Sequence, residues 1–218
     1  NDIRGIYGKD VTEELFYYTG RGYISYLSNN LEKNPSDIWV TVCRDARTHS
    51  PALVDSLIKG VRSTGANVVD LGLAPTPIGY YSEVAGVPTE YTRGNAISGA
   101  LIVTASHNPS QYNGLKMTFR KQSLGEEQIK IVTMEEYQYQ KPVLLNGSLV
   151  EYDIIPQYTK ELKAAFQNMA QTINGSIKVV VDSGNGTGGV VAPNLYRELG
   201  CKVVELFSMP DGRFPNHH

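Results

Sequence analysis

The sequence predicts an α/β protein whose sheet is mostly parallel. Short segments rich in β-branched residues alternate along the chain with longer segments of helical periodicity. A strand–helix–strand arrangement occurs twice, and each occurrence requires a helix that crosses the sheet, which favours parallel strands. The 218 residues are enough for one large domain or for one and a half domains of ordinary size.

The first elements follow from residue type and spacing. A strand is expected at Asn1–Gly5, and a helix from about Val11 to Leu31. The candidate core contacts of this helix are Leu15, Tyr18, Ile24 and Leu27. Ile38–Cys43 is rich in β-branched residues and is expected to form the second strand.

A second helix is predicted to begin at Ser50-Pro51, with the serine as N-cap and the proline as first helical residue. His49 just before it is expected to be a helix-entry residue and not a ligand. The helix ends at Gly65, and Val68–Leu71 forms the next strand. A short helix around Thr76–Val84 then leads to the strand that ends at Val103.

A second strand–helix–strand unit is predicted near the end of the chain. It consists of the strand Ile177–Val181, a helix near Val190–Leu199 and a strand after Gly200. Residues 65–71 and 200–206 share a glycine, paired valines and an acidic residue, which suggests a duplicated unit. The general likeness of all such units explains the pattern equally well. Before it, residues 135–149 are expected to connect the two halves, with room for a β-hairpin, ahead of a helix near 155–170.

The composition of the chain argues against several classes of function. The formal net charge of −2 argues against non-specific nucleic-acid binding, which requires a basic surface. No apolar run approaches the roughly 18 residues of a membrane helix, and no signal peptide is visible. Cys43 and Cys201 are expected to be buried free thiols. The expectation is therefore a soluble cytoplasmic protein with neither a nucleic-acid partner nor a membrane partner.

Residues 101–116, LIVTASHNPSQYNGLK, carry the strongest chemical signal. The apolar run Ala100–Val103 predicts a buried strand that delivers Ser106 and His107 to the edge of the sheet, where open α/β sheets place their chemistry. Asn113-Gly114 predicts a two-residue turn that folds Lys116 back toward Ser106. A hydroxyl, an imidazole and an ammonium group are thus expected to converge.

The string TASHNP followed by YNGLKM resembles the phosphoserine loop of the α-D-phosphohexomutase family, which includes phosphoglucomutases and phosphomannomutases. Three other segments support the resemblance: Asp2-Ile3-Arg4-Gly5, Arg44-Asp45-Ala46-Arg47, and the segment from Asp211 to His218. The resemblance implies a three-layer α/β/α domain with a mixed, mostly parallel sheet over residues 1–150. Residues 151–218 would then begin a second domain of similar topology.

The resemblance also implies a reaction. Ser106 would carry a phosphate and pass it to a hexose phosphate, so that a hexose 1,6-bisphosphate forms and is converted between hexose 1-phosphate and hexose 6-phosphate. His107 would bind the phosphate or relay a proton, Lys116 would act as a cation or as part of the acid–base machinery, and Arg4 would contact phosphate oxygens. Residues 44–47 would brace the loop.

The resemblance further implies a Mg²⁺ ion bound through the phosphate on Ser106. The family's other ligands come from an Asp-Gly-Asp-Gly-Asp loop that does not occur in this sequence. The chain is therefore expected to be an incomplete, inactive fragment of a mutase. The loop that selects the hexose is also absent, so no particular hexose is predicted.

Two alternatives remain at the level of sequence. Residues 184–189, GNGTGG, satisfy G-x-G-x-x-G after a predicted strand, and Glu205 follows at the distance of a ribose-binding acid. These features favour a nicotinamide- or flavin-dependent oxidoreductase, although Asp182-Ser183 separate the strand from the first glycine. The second alternative is a non-enzymatic binding module, against which the intact TASHNP loop argues.

Overall fold

A computed structural model describes residues 2–139, 146–168, 173 and 175–216. Most of these residues form a seven-stranded mixed sheet with helices on both faces, and the last part forms a two-stranded parallel unit. The predicted α/β class with a mixed, mostly parallel sheet is confirmed.

The strands are β1 (Ile3–Ile6), β2 (Trp39–Arg44), β3 (Asn67–Leu73), β4 (Ile97–Val103), β5 (Tyr112–Phe119), β6 (Gln122–Ser123), β7 (Leu149–Glu151), β8 (Lys178–Asp182) and β9 (Lys202–Leu206). The helices are α1 (Glu13–Leu31), α2 (Ser50–Ser63), α3 (Thr76–Ala85), α4 (Glu126–Tyr139), α5 (Ile155–Ala165) and α6 (Ala192–Glu198). Short 3₁₀ helices cover Pro35–Asp37 and Thr187–Val190.

The large sheet has the order β1-β5-β4-β2-β3-β7, and β6 pairs with β5 outside this path. Strands β4, β2, β3 and β7 are parallel, whereas β5 is antiparallel to both β4 and β1. The loop between β4 and β5 therefore connects adjacent antiparallel strands, and it leaves the sheet at the carboxyl end of β4. This is the loop that contains Ser106.

Two apolar cores lie on the two faces of this sheet. One is formed with α1, α2 and α4 and contains Phe16 and Tyr23 of α1 at its centre. Ile24 and Leu27 are buried there as predicted, whereas Leu15 and Tyr18 are only partly buried. The other core is formed with α3 and α5 and contains Trp39, Cys43, Ile78, Ile102 and Ile154. A sheet between two helical layers is the three-layer arrangement that the resemblance implied.

The start of α2 differs from the prediction that Ser50 is its N-cap. His49 occupies the N-cap position, and α2 begins at Ser50 itself. The Ser50 hydroxyl donates to Asp45 Oδ1 at 2.7 Å and makes no capping hydrogen bond. The Ser50 oxygen accepts instead from Asn113 Nδ2 at 2.9 Å, so tertiary partners and not the helix N–H groups use this hydroxyl, and the cap was predicted wrongly. The helix-entry position of His49 is confirmed.

The connection between the two halves is more ordered than predicted. Helix α4 continues to Tyr139 inside the expected connecting segment. In the part of α4 whose side chains the structure describes, residues 126–134, Ile129 and Val132 pack against the core, whereas Ile131 and Met134 are exposed. The segment in which a β-hairpin was expected, residues 135–149, includes residues 140–145, which lie outside the described residues, so the hairpin stays a prediction. Strand β7 pairs with β3, so the predicted division after residue 150 lies within a strand and stays a prediction.

The second unit repeats the β2–α2–β3 arrangement. Strands β8 and β9 are parallel, with α6 between them in the chain. The glycines that precede β3 and β9 both have positive φ, 93° at Gly65 and 89° at Gly200, a conformation that glycine adopts without strain. The acidic residues also correspond, since Asp70 pairs with Val42 and Glu205 with Val181. These equivalences support the interpretation of a duplicated unit.

Candidate active site

Ser106 lies on an exposed loop directly after β4. Its φ of 53° is left-handed, a conformation that costs a non-glycine residue of order 1–3 kcal/mol. The Ser106 N–H donates to Thr104 Oγ1 at 3.0 Å, and the Thr104 hydroxyl donates to Asp45 Oδ2 at 2.9 Å. A chain of two hydrogen bonds therefore ties the backbone of Ser106 to a carboxylate at the end of β2.

Arg47 holds the same loop through its guanidinium group, which is 1% exposed. Its Nε–H donates to Asp45 Oδ2 at 3.0 Å. Its two Nη atoms donate to four loop carbonyl oxygens: Pro109 at 2.6 Å, Tyr112 at 3.1 Å, Ser106 at 3.2 Å and Asn108 at 2.7 Å. All five N–H groups of the side chain are thus used. Burial lowers the pKa of Arg47, and the charge of Asp45 opposes this effect.

Asp45 connects these groups. Its Oδ1 accepts from the Arg47 backbone N–H at 3.0 Å and from the Ser50 hydroxyl at 2.7 Å. Arg44 adds only a long contact, from Nη1 to the Asp45 carbonyl oxygen at 3.3 Å. The predicted bracing role of residues 44–47 is therefore confirmed, and Asp45 and Arg47 carry most of it.

The turn predicted at Asn113-Gly114 is wrong, because both residues lie inside β5. Pairing with β1 on one side and β4 on the other overrides the turn preference of the Asn-Gly pair. A Cβ atom on Gly114 would lie 2.1 Å from the Ile3 carbonyl oxygen, so glycine permits the close approach of β1. Asn113 is buried, and its Nδ2 donates to the Ser50 hydroxyl at 2.9 Å.

His49 completes the support of the loop. Asn113 Nδ2 donates to His49 Nδ1 at 2.8 Å, which leaves His49 Nε2–H to donate to the Ser110 carbonyl oxygen at 3.0 Å. The imidazole also stacks on Tyr7, with ring centroids 4.5 Å apart. His49 is therefore a structural residue beneath the loop.

Lys116 and Arg4 meet at Asp2 and not at Ser106. Lys116 Nζ lies 2.8 Å from Asp2 Oδ2, and the Arg4 guanidinium contacts the same oxygen. Burial raises the pKa of Asp2, but the hydrogen bonds and charges of Lys116 and Arg4 outweigh it, so the pKa is lowered overall. Sequence reasoning missed this role of Asp2, although positions 2 and 4 of an expected strand lie on the same face.

A cavity of about 590 Å³ opens beside the loop. Ser106 and His107, both exposed, lie on one wall. The other lining residues are Arg47, Asn108, Pro109, Ser110, Ser183, Gly184, Gly186, Arg213, Phe214 and Pro215. The structure thus brings Ser106 and His107 together with the second unit, whereas Lys116 and Arg4 lie outside the lining of this cavity.

The glycine-rich loop has an internal role. Asn185 is buried, its N–H donates to the Phe207 carbonyl oxygen at 2.9 Å, and its Nδ2 donates to the Met209 carbonyl oxygen at 2.9 Å. A Cβ atom on Gly189 would lie 2.0 Å from the Ser208 carbonyl oxygen. Glu205, the candidate ribose acid, is paired with Arg197. The loop therefore packs against residues 207–209, and nothing in it supports the oxidoreductase alternative.

Comparison with known proteins identifies the family. Residues 1–139 match the family model for phosphoglucomutase/phosphomannomutase alpha/beta/alpha domain I, and residues 156–218 match the model for domain II. The chain belongs to the phosphoglucomutase/phosphomannomutase family. Both matched models are alpha/beta/alpha domains, in agreement with the strand–helix–strand unit that occurs in each half of the chain.

Individual relatives agree with this assignment. The chain is 37% identical to a phosphomannomutase/phosphoglucomutase of Pseudomonas putida and 34% identical to a phosphoglucomutase of Neisseria meningitidis serogroup B. Each match covers 100% of this chain but only 42% and 43% of the relative. The structure of a family protein from Burkholderia thailandensis superposes with a TM-score of 0.83 at 36% identity, over 100% of this chain and 45% of that protein. The chain thus spans less than half the length of these relatives.

Two negative findings apply to the described part of the chain. Among those residues, no group of three or more His, Cys, Asp or Glu side chains is placed to hold a metal ion. No helix within the described ranges is both long enough and apolar enough to cross a bilayer.

Proposed function

We propose that the full-length protein is a phosphohexomutase that transfers phosphate through Ser106. The observation that carries the proposal is an exposed, left-handed serine on a braced loop that opens into a cavity, in a chain of this family. Phosphoryl transfer depends mainly on positioning and on charge stabilisation, and a rigidly held nucleophile supplies the first of these.

The proposed reaction has two transfers. A phosphate on Ser106 is attacked by the free hydroxyl of a hexose monophosphate, so that the bond from phosphorus to Ser106 Oγ breaks and a bond to the sugar oxygen forms. The hydroxyl proton passes to a base, Ser106 Oγ takes up a proton, and a hexose 1,6-bisphosphate results. In the second transfer Ser106 gives its hydroxyl proton to a base and its Oγ attacks the other phosphate, so that the bond from phosphorus to the sugar oxygen breaks. That oxygen takes up a proton, the isomeric monophosphate is released, and Ser106 regains its phosphoryl group.

The neighbouring residues have separate proposed roles. His107 lies on the same wall of the cavity as Ser106, and on this basis we assign to it the binding of the phosphate or the transfer of the hydroxyl proton. Lys116 and Arg4 share Asp2, so their cationic groups are held side by side at the edge of the sheet. We assign them to the stabilisation of phosphate charge. For this role they must either bind the phosphate while they still contact Asp2, or release Asp2 and bind the phosphate in its place.

Mg²⁺ is also part of the proposal, bound through the phosphate on Ser106. Family membership supports it, but the described residues offer no carboxylate cluster to complete the coordination. The two transfers above are therefore written without the ion.

The test is Ser106→Ala in the full-length protein. Because the side chain is exposed, its removal should change the unfolding free energy by less than about 0.5 kcal/mol. Turnover of glucose 1-phosphate and mannose 1-phosphate should fall by several orders of magnitude, and the phosphoryl group detected by intact mass should disappear. Ser36→Ala, an exposed serine on the Pro35–Asp37 helix, is the matched control. An alanine variant with normal turnover would eliminate the proposal.

We further propose that these 218 residues alone are inactive as a mutase. They provide the serine loop and one facing wall, but no metal cluster among the described residues. A coupled assay with glucose 1-phosphate, glucose 1,6-bisphosphate and Mg²⁺ should show no turnover above a Ser106→Ala control. Turnover above that control would show that the chain is catalytically sufficient.

A further inference from the structure

The buried Arg47 guanidinium is in contact with the second unit as well as with the loop of Ser106. The ring of Phe214 lies over it, with Arg47 Cζ 5.1 Å from the ring centroid. We propose that Phe214 is a positioning residue: its ring seals the face of the Arg47 guanidinium and thereby makes the conformation of the Ser106 loop depend on the second unit. The kinetic part of this inference rests on the proposed function, whereas its structural part does not.

The physical reason lies in the shape of the guanidinium group. Its edges are fully used, because all five N–H groups donate to Asp45 and to loop carbonyl oxygens. Only the two faces of the guanidinium plane carry no hydrogen bond. A water molecule above a face would compete with the loop carbonyl oxygens for the same N–H groups. An aromatic ring excludes that water, and its π face attracts the cation. Low local polarity in turn strengthens the hydrogen bonds that hold the loop.

The ring is itself held firmly. The Phe214 N–H donates to the Asp211 carbonyl oxygen at 2.9 Å, which closes a turn in which Phe214 has a left-handed φ of 49°. The Asp211 N–H donates to the Asn185 carbonyl oxygen at 2.8 Å, so the turn is anchored on the glycine-rich loop. A bulky residue rarely adopts this φ, and here it directs the ring at Arg47.

A second contact fixes the distance between the turn and the first domain. A Cβ atom on Gly212 would lie 2.3 Å from the Ala46 carbonyl oxygen and 2.5 Å from the Thr48 N atom. The backbone of the turn therefore packs directly on the segment that carries Arg47. The cover provided by Phe214 is part of a close interface and not the contact of one mobile side chain.

The test is amide hydrogen exchange measured by NMR on the 218-residue chain. The reporters are the N–H groups of Asn108 and Tyr112, which close the loop by hydrogen bonds of 3.1 and 3.0 Å to Ala105 and Pro109. Phe214→Ala should raise their exchange rates about tenfold. Phe214→Tyr keeps the ring and should restore slow exchange. Phe207→Ala is the matched control, because Phe207 also has a left-handed φ, 50°, lies in the second unit and is 44% exposed.

Two further measurements make the result decisive. Exchange within β8 and β9 must be unchanged in Phe214→Ala, which shows that the second unit is still folded. In an Arg47→Lys background, Phe214→Ala should add no further increase, because the group that it covers is gone. Equal exchange rates at Asn108 and Tyr112 in the wild type and in Phe214→Ala would overturn the inference.

A kinetic readout connects the inference to the proposed reaction. In the full-length protein, Phe214→Ala should lower kcat about tenfold, with KM changed less than twofold, and Phe214→Tyr should recover most of kcat. A loss that appears only in KM would mean that Phe214 binds substrate and does not position the loop. If Ser106→Ala proves active, the mutase proposal fails, but the exchange result still decides the role of Phe214.

Discussion

Replacement of Arg47 by lysine is predicted to destabilise the first domain strongly although the charge is retained. The five acceptors around Arg47 are one carboxylate oxygen and four carbonyl oxygens. A lysine ammonium group has three hydrogens to donate, so at least two of the five hydrogen bonds are lost. Each lost hydrogen bond from this charged, buried donor costs about 1–3 kcal/mol, and the expected loss in unfolding free energy is therefore about 2–6 kcal/mol.

Urea unfolding can measure this loss with an intrinsic probe. Trp39 is the only tryptophan of the chain and lies 1% exposed in β2, so its fluorescence reports the first domain. Arg93→Lys is the control, since Arg93 is exposed and donates to Ser148 Oγ at 3.1 Å; it should change stability by less than about 0.5 kcal/mol. A loss below about 1 kcal/mol for Arg47→Lys, with an unchanged m-value, would refute the assignment of the loop's rigidity to these hydrogen bonds.

Three other predictions follow from single contacts. Because the pKa of Asp2 is lowered in the folded state, its carboxylate stabilises the fold above the unfolded pKa of about 4, and this stabilisation is lost as the pH falls through the folded-state pKa. The thermal unfolding temperatures of Asp2→Asn and wild type should therefore differ at pH 7 and converge in acid. A difference that does not change with pH would contradict this. Gly114→Ala should cost more than about 1 kcal/mol in urea, since its Cβ meets backbone of β1, whereas Gly188→Ala, with open space around it, should be nearly neutral; equal effects would contradict the close-approach argument. Burial raises the pKa of the Cys43 thiol to about 12, so a disulfide reagent at pH 8 should modify it only after unfolding, and rapid labelling of the native chain would show that it is accessible.

The order of strands and helices could be predicted because each depends on local composition. The β-branched run at 38–43 and the apolar run at 100–103 became β2 and the end of β4. The bracing role of residues 44–47 was also predictable, because the carboxyl ends of β2 and β4 are adjacent in a parallel sheet. Helix α4 was missed because its apolar pattern is weak: within residues 126–134, whose side chains the structure describes, Ile129 and Val132 pack against the core but Ile131 and Met134 are exposed.

The errors share one physical cause, which is that tertiary partners outweigh local preference. Asn113-Gly114 has the composition of a turn, yet it lies within β5 beside two other strands. Its asparagine side chain donates to the Ser50 hydroxyl beneath the loop. Serine is a preferred N-cap residue, yet the Ser50 hydroxyl donates to Asp45 Oδ1. Asp2 was not selected as a site residue because its two cationic partners lie on different strands.

The second wall of the cavity illustrates what a sequence pattern does not contain. Arg47 donates mostly to backbone carbonyl oxygens, which every residue has, so no residue type in the loop marks them as its partners. Phe214 lies far away in the chain and meets Arg47 only because the turn at 211–214 packs on residues 46–48. A serine held in a left-handed conformation needs such remote support, since its own local preference opposes that geometry. If Phe214 acts as proposed, the position of Ser106 depends on both units together, and the residues of the loop are not sufficient to define the candidate site.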